Sequence, residues 1–311
     1  MEFTGWLDMP DEVAAMQPLL TMPDLKGNEP TYDPAKEVLL YKIFREIVGT
    51  DAPKGPQKIG DCVSWGWGNL INYAQATQIY QDLKAKGLIG SSYSILDREA
   101  AITARLQYQE TATEVMYAFS RVEIGGQKGS YSDGSTGIWA SRAATEKGSL
   151  SRPYLESKGL GGAYNPNRAK DWGAKGVPDN LEPDAFQHIL KTTTPVRAAK
   201  DAIGQIQNGY CVAVCSNQGF TTTRDSQGFC KPDGVWNHCM LFIANRFDRP
   251  GLLCSQSWGP MMPNGPIALD QPDNTFWVDI DIVDRMLRQN DSYTGSVFQG
   301  YPDQDFADWH H

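Results

Sequence analysis

The sequence predicts an α+β chain with a helical first half and a strand-rich second half. Two patterns carry that prediction. After Cys62 the chain runs to Lys86 without a proline, and Leu70, Tyr73, Ala74, Ile79, Tyr80 and Leu83 recur at mostly three- and four-residue steps, the mark of a half-buried helix. From Val196 onward, short apolar runs alternate with turns at 210–215, 239–246, 251–255 and 276–282, the pattern of successive strands.

The elements follow in chain order. Residues 1–32 are rich in Pro, Met and acidic side chains, show little periodicity, and read as an extended arm. Residues 34–48 form an amphipathic pattern, with Pro34 suited to the first turn and Gly49 to the end of a helix. Pro53, Gly55, Pro56 and Gly60 forbid regular structure before Cys62, so Cys62 stands at a helix N-terminus. A second helical pattern covers 97–119. A glycine-rich loop spans 121–137, and a helix over 138–147 stops at Gly148. Residues 149–184, with many Gly, Pro and Asn, read as a loop joining the halves. A short helix is expected at 281–289, and the tail after Ser292 reads as irregular and packed on the surface. The expected division is an arm and helix over 1–50, a helical half over 51–165, a strand half over 166–291 and a tail over 292–311.

Composition narrows the classes. The chain has 311 residues, enough for a soft expectation of about two domains. Lys and Arg number 28 against 37 Asp and Glu, a net charge of −9, which argues against nucleic acid and anionic membrane as partners. No apolar run approaches the roughly 20 residues that span a bilayer. The start carries no basic n-region or apolar h-region, so the expectation is a chain cytoplasmic at synthesis. The six cysteines are then expected as reduced thiols. A zinc site is the alternative, and no Cys-x-x-Cys spacing supports it. The glycine-rich loop lacks the Lys-Ser/Thr ending that would cradle a phosphate.

The chemistry gathers around Cys62. Unpaired N–H groups and the macrodipole at a helix start favour a thiolate over a thiol. Gln57, on the same loop, supplies an amide that can donate to an oxyanion. A cysteine nucleophile needs a base, most often His. Of four histidines, His310 and His311 end the chain, and His188 reads as a surface or core-edge residue. His238 opens the apolar run Cys239, Met240, Leu241, Phe242 and Ile243, which reads as a buried strand. Downstream, the run from Leu252 ends in Gln256, Ser257, Trp258 and Gly259.

Taken together, Gln57 with Gly60-Asp61-Cys62, then Asn237-His238, then Gln256-Ser257-Trp258-Gly259 resemble the papain-like cysteine peptidases, in the family's order, over roughly Gly55 to Gly259. The stretch from Gly60 to Gly68 is most similar to divergent bacterial and bacteriophage members. The resemblance implies a helical half and a β-barrel-like half with the active-site cleft between them. It implies hydrolysis of polypeptide substrates through a thioester, without a metal or organic cofactor. Cys62 would be nucleophile and His238 base. Gln57 would complete the oxyanion hole, and Gln256 would orient the imidazole under Trp258. The glycine-rich loop would give one wall of the cleft through Gly134, Ser135 and Trp139. Departures stand beside this. Val63 replaces the usual Trp, Gln256 replaces the usual Asn, and Gln57 is one residue closer to the cysteine than usual. The family places the His roughly 130–150 residues after the Cys; here the interval is longer, which implies insertions. The alternative from another class is an interaction protein, such as a virion component, that keeps the fold with weakened catalysis and docks partners through its arm. A peptidoglycan amidase would use similar chemistry on another fold, and the Ser257-Trp258-Gly259 segment argues against it.

Overall fold

The computed structural model describes residues 5–20 and 32–298. The terminal His310 and His311, and the ends of the arm and tail, lie outside the described residues. Among those described, no helix is long and apolar enough to cross a membrane.

One helix organises the molecule. α3 (Cys62–Ala85) is preceded by α1 (Pro10–Met16) and α2 (Leu40–Val48). The sequence suggested a half-buried helix, but α3 is buried on nearly every side, including Asn69, Asn72, Gln75 and Gln78. Three of these hold neighbouring loops, while the Gln78 amide finds no hydrogen-bond partner among the described residues. Asn69 donates to the Pro53 carbonyl at 2.9 Å, Asn72 accepts from the Thr111 N–H at 2.9 Å, and Gln75 from the Gln109 N–H at 3.1 Å. A buried amide that binds backbone costs nothing in unmet hydrogen bonds, so the helix can lie deep.

The helical half continues with α4 (Arg98–Gln107) and α5 (Thr113–Ala118), which break the single pattern expected over 97–119. Thr111 bridges to Ser151 between them. A wide π-helical turn, Phe119–Ile124, then leads through the glycine-rich loop to α6 (Gly137–Glu146). The stretch read as a loop contains α7 (Arg152–Ser157), α8 (Pro166–Lys175) and α9 (Glu182–Ala185). These are too short for periodicity to reveal. Their caps do show in the sequence: Ser151 accepts from the Tyr154 N–H, and Asn165 from those of Asn167 and Arg168. Glu114 of α5, fully buried, pairs with Arg152 at 2.9 Å and Arg168 at 2.6 Å, which fastens α7 and α8 to α5.

The second half is one antiparallel sheet. Its strands are β1 (Val38–Leu39), β2 (Leu190–Pro195), β3 (Val212–Phe220), β4 (Pro232–Arg246), β5 (Gly251–Ser255), β6 (Thr275–Asp279) and β7 (Tyr293–Phe298), ordered β2-β7-β3-β4-β5-β6, with β1 on the end of β4. α10 (Ala199–Gln207) and α11 (Ile280–Leu287) pack beside it. Two expectations are corrected. Val38 and Leu39 are strand rather than helix, because they pair with Asn245 and Ala244. The tail begins as β7, inserted between β2 and β3, rather than as an irregular surface segment. β4 starts at Pro232, six residues before the histidine, but its burial begins at His238. Before that point its own residues are mostly exposed while it pairs with the end of β3; beyond it, α3 packs on the strand.

Candidate active site

Cys62 is the first residue of α3 and is fully buried. The Cys239 N–H points at its sulfur at 3.4 Å, which lays the start of buried β4 on the helix N-terminus. The helix start was expected to favour a thiolate. Burial instead drives the Cys62 thiol well above its ordinary value, with the neighbouring Cys239 thiol adding to the effect. Desolvation of the charged form outweighs the helix field here. All six cysteines are free thiols and buried.

His238 is fully buried as well, and burial lowers its pKa to about 3. Neither ring nitrogen has a hydrogen-bond partner among the described residues. The imidazole lies flat on the Trp258 indole, with centroids 4.2 Å apart and planes 18° apart, and Trp236 meets Trp258 edge-on. Trp258 thus covers the imidazole itself rather than an imidazole–amide contact.

The two glutamines stand differently from expectation. The Gln256 amide accepts from the Trp258 N–H and donates to the Met262 and Gly259 carbonyls, so it holds its own loop and no hydrogen bond joins it to His238. Its extra methylene lets the amide curl back onto the turn, where orphan backbone groups bind it. Gln57 donates to the Ile59 carbonyl at 3.0 Å and accepts from Ser257 Oγ at 2.5 Å, while its N–H binds the Ser257 carbonyl at 2.8 Å. The loop before Cys62 is therefore stitched to the segment carrying Trp258, two motifs far apart in sequence.

The glycine-rich wall is held by residues that local pattern does not reveal. Arg121, 1% exposed, donates to the carbonyls of Gly173 (2.9 Å), Ser132 (2.7 Å), Ser130 (3.2 Å) and Gly134. Asp133 accepts from the Gly60 N–H at 3.1 Å and from Lys170 at 2.6 Å, which ties the wall to the loop before Cys62. Gly134 and Ser135 face the arm. Trp139, expected on the wall, is buried beneath it; its ring packs beside Gly125 and its indole donates to Glu12 of α1. In the sequence Arg121 reads as the first residue of the glycine-rich loop, and no local signal marks it as buried.

Between the wall and β4 runs the arm itself. The Leu7 N–H donates to the Ser135 carbonyl at 2.9 Å, and the Ser135 N–H to the Gly5 carbonyl at 2.8 Å, a parallel bridge centred on Trp6. The N–H groups of Gly5 and Trp6 both reach the Asn237 carbonyl at 3.1 Å. Gly5 to Leu7 therefore lie across Cys62, between Ser135 and the residue before His238.

Behind the cysteine, Asp61 is fully buried and accepts from the Tyr164 hydroxyl at 2.8 Å instead of capping α3. Burial lifts its pKa from 3.8 to about 8, against the opposing pull of Tyr164. Across that window the folded chain keeps a proton that the unfolded chain has lost, so this carboxyl lowers stability as pH rises from about 4 to 8. Asp61→Asn removes the titration. Its melting temperature relative to the parent should gain roughly 2–4 °C between pH 5 and pH 8; parallel curves would assign the pH dependence elsewhere.

No protein-family model and no curated protein matches the chain. Solved structures do. Xylellain, a cysteine protease from Xylella fastidiosa, superposes with a TM-score of 0.53 at 11% identity, over 95% of this chain and 91% of that one. The proCathepsin B S9 of Trypanosoma congolense gives a TM-score of 0.50 at 9% identity, over 97% of this chain and 87% of that one. At such identities the likeness is one of fold, and it covers nearly the whole length: the chain has the α+β fold of the papain-like cysteine proteases.

Proposed function

We propose that this papain-fold chain hydrolyses peptide bonds with Cys62 as nucleophile and His238 as base, and that its arm keeps the pair at rest. One observation carries the reading. The Cys239 N–H on the Cys62 sulfur, 3.4 Å away, seats a helix-start thiol beside the strand that brings in His238. Once the arm leaves and water or substrate enters, His238 takes the thiol proton and the thiolate attacks the amide carbonyl. The oxyanion is held by the Cys62 N–H and by the Gln57 amide, which turns from the Ile59 carbonyl. The C–N bond breaks as the imidazolium protonates the leaving amine. Water then cleaves the thioester and restores the thiol. Gln256 acts at one remove, by holding Trp258 over the imidazole. Gly134, Ser135 and Trp258 border the path that the substrate takes.

A scaffold reading has an observation of its own. The buried, unpartnered imidazole and the occupied cleft describe a molecule that does no chemistry in this state. Cys62→Ser separates the two. For an enzyme, this change abolishes cleavage of an unstructured protein substrate, a fall of roughly 10⁴-fold or more for a lost nucleophile, with little change in melting temperature. If the parent cleaves nothing, before or after the arm is displaced, the scaffold reading stands.

A further inference from the structure

We propose that Cys239 and Cys215 form a dithiol that takes oxidising equivalents from Cys62 and ends as a reversible disulfide across β3 and β4. The inference goes beyond the peptidase reading and does not need Cys62 to cleave peptides, only that peroxide reaches its sulfur. Cys215 and Cys239 stand directly opposite one another in the antiparallel register. Their backbone N–H groups point apart: that of Cys215 donates to Ser292 Oγ at 3.2 Å, and that of Cys239 to Cys62 Sγ at 3.4 Å. The two residues therefore exchange no backbone bonds and form the closer kind of cross-strand pair, with Cα atoms about 4.5 Å apart and both side chains on one face of the sheet. A disulfide bridges Cα separations of about 4.4–6.8 Å, so this pair can close without a shift of either strand.

Cys239 is also the neighbour of Cys62. Besides its N–H on the Cys62 sulfur, its own sulfur lies against the start of α3, where a Cβ on Gly66 would stand 3.0 Å from it. Gly66 is one helical turn from Cys62 on the same face of α3, and its missing side chain leaves the space that the sulfur takes. Cys254, by contrast, has Phe242 and Phe276 as its cross-strand partners. Peroxide, reaching the Cys62 thiolate once the arm is displaced, transfers one oxygen to it and leaves as hydroxide, which takes up the proton that the thiol had lost. The Cys239 sulfur attacks the sulfenic sulfur; the S–S bond forms, the S–O bond breaks, and the hydroxyl leaves as water with the Cys239 proton. The Cys215 sulfur then attacks that of Cys239 and displaces Cys62, which takes the Cys215 proton. One peroxide has become two waters and two thiols one disulfide, with Cys62 restored. Burial holds the Cys215 thiol well above its ordinary value, and the facing Cys239 thiol adds to the effect. Its thiolate is scarce, so the exchange is the slower step, and a solvated Cys62 is the better leaving group.

The test exposes full-length parent and Gly5→Ala protein to equimolar hydrogen peroxide, blocks the remaining thiols with N-ethylmaleimide in denaturant, and maps linked peptides without reductant. The Cys62–Cys239 link should appear first, faster in Gly5→Ala, and give way to Cys215–Cys239, with Cys62 again alkylated and four of the six thiols labelled. Dithiothreitol should restore all six. Cys215→Ser should stop at the Cys62–Cys239 link. Cys239→Ser should form neither link, and its Cys62 should go on to sulfinic acid, which dithiothreitol does not reverse. A Cys62–Cys239 link that persists in both proteins, a bridge to any other cysteine, or no bridge in either protein overturns the proposal, as does a Cys62 equally spared from sulfinic acid in Cys239→Ser. The linkage pattern of the two proteins with all six cysteines decides even where a serine variant does not fold. Because thiols are counted rather than cleavage, a chain that relays oxidation but cuts no peptide keeps this dithiol and loses the peptidase.

Discussion

Arg121→Ala will cost the fold about 3–5 kcal/mol, read as a lowered urea midpoint at unchanged slope. The side chain is almost fully buried and donates to four carbonyls, three of them on the 130–134 loop and one on α8. Truncation leaves those acceptors facing a cavity, and each buried unmet acceptor costs about 1–3 kcal/mol, less where water enters. Its guanidinium also lies over the Tyr117 ring at 5.1 Å, and Tyr117 Oη accepts the Gly134 N–H at 3.2 Å. Lysine cannot replace this fork, because one ammonium point charge cannot reach carbonyls on both sides of it. Arg121→Lys should therefore lose most of the same stability. A loss under ~1 kcal/mol for Arg121→Ala would mean that the loop holds itself, through Asp133 and Gly60, and that the wall of the cleft does not depend on the π-helical turn.

What the sequence made legible and what it hid divide along a physical line. The helix from Cys62 was readable because the prolines stop before it and apolar positions from Leu70 recur at helical steps along its 24 residues. The burial of β4 from His238 onward was readable because its apolar run is continuous. Cys62, His238 and Trp258 were singled out through motifs whose order survives in the chain. The rest depends on contacts between distant segments. β7 looked like an irregular tail because a strand covered on both sides by partners needs no apolar alternation to be stable. Val38 and Leu39 looked helical because periodicity cannot see the edge of β4 waiting for them. The thiol's reversed tendency follows from the arm's position, which no local pattern sets. Gln256 shows the finer limit. Its place in the motif was clear, but one extra methylene sent its amide into its own turn. Asp291 and Trp6, 285 residues apart, could be paired only in three dimensions.

The second large effect concerns the arm. Gly5→Ala will expel it and raise the rate at which iodoacetamide alkylates Cys62 at neutral pH by roughly 10²-fold. The arm passes so close to the helix start that a Cβ on residue 5 would lie 2.0 Å from the Gly60 carbonyl oxygen and 2.3 Å from its carbon. Those are backbone atoms, and Gly60 is anchored in turn by its N–H to Asp133. It cannot retreat, so the arm must. The seated arm is held by four backbone hydrogen bonds and by the buried indole, together worth about 3–4 kcal/mol, which sets the protection that its loss removes at roughly 10²-fold. Expulsion also returns water to the sulfur, so the thiol pKa, now raised by burial, falls and the alkylation profile moves to lower pH. Cys211, Cys215 and Cys254, buried in the sheet half, serve as internal standards in the same digest and should keep their rates. A uniform rise at all six would report a loosened fold rather than an opened cleft. An unchanged rate at Cys62 would mean that the arm does not guard the thiol, and the resting state would then need another cause.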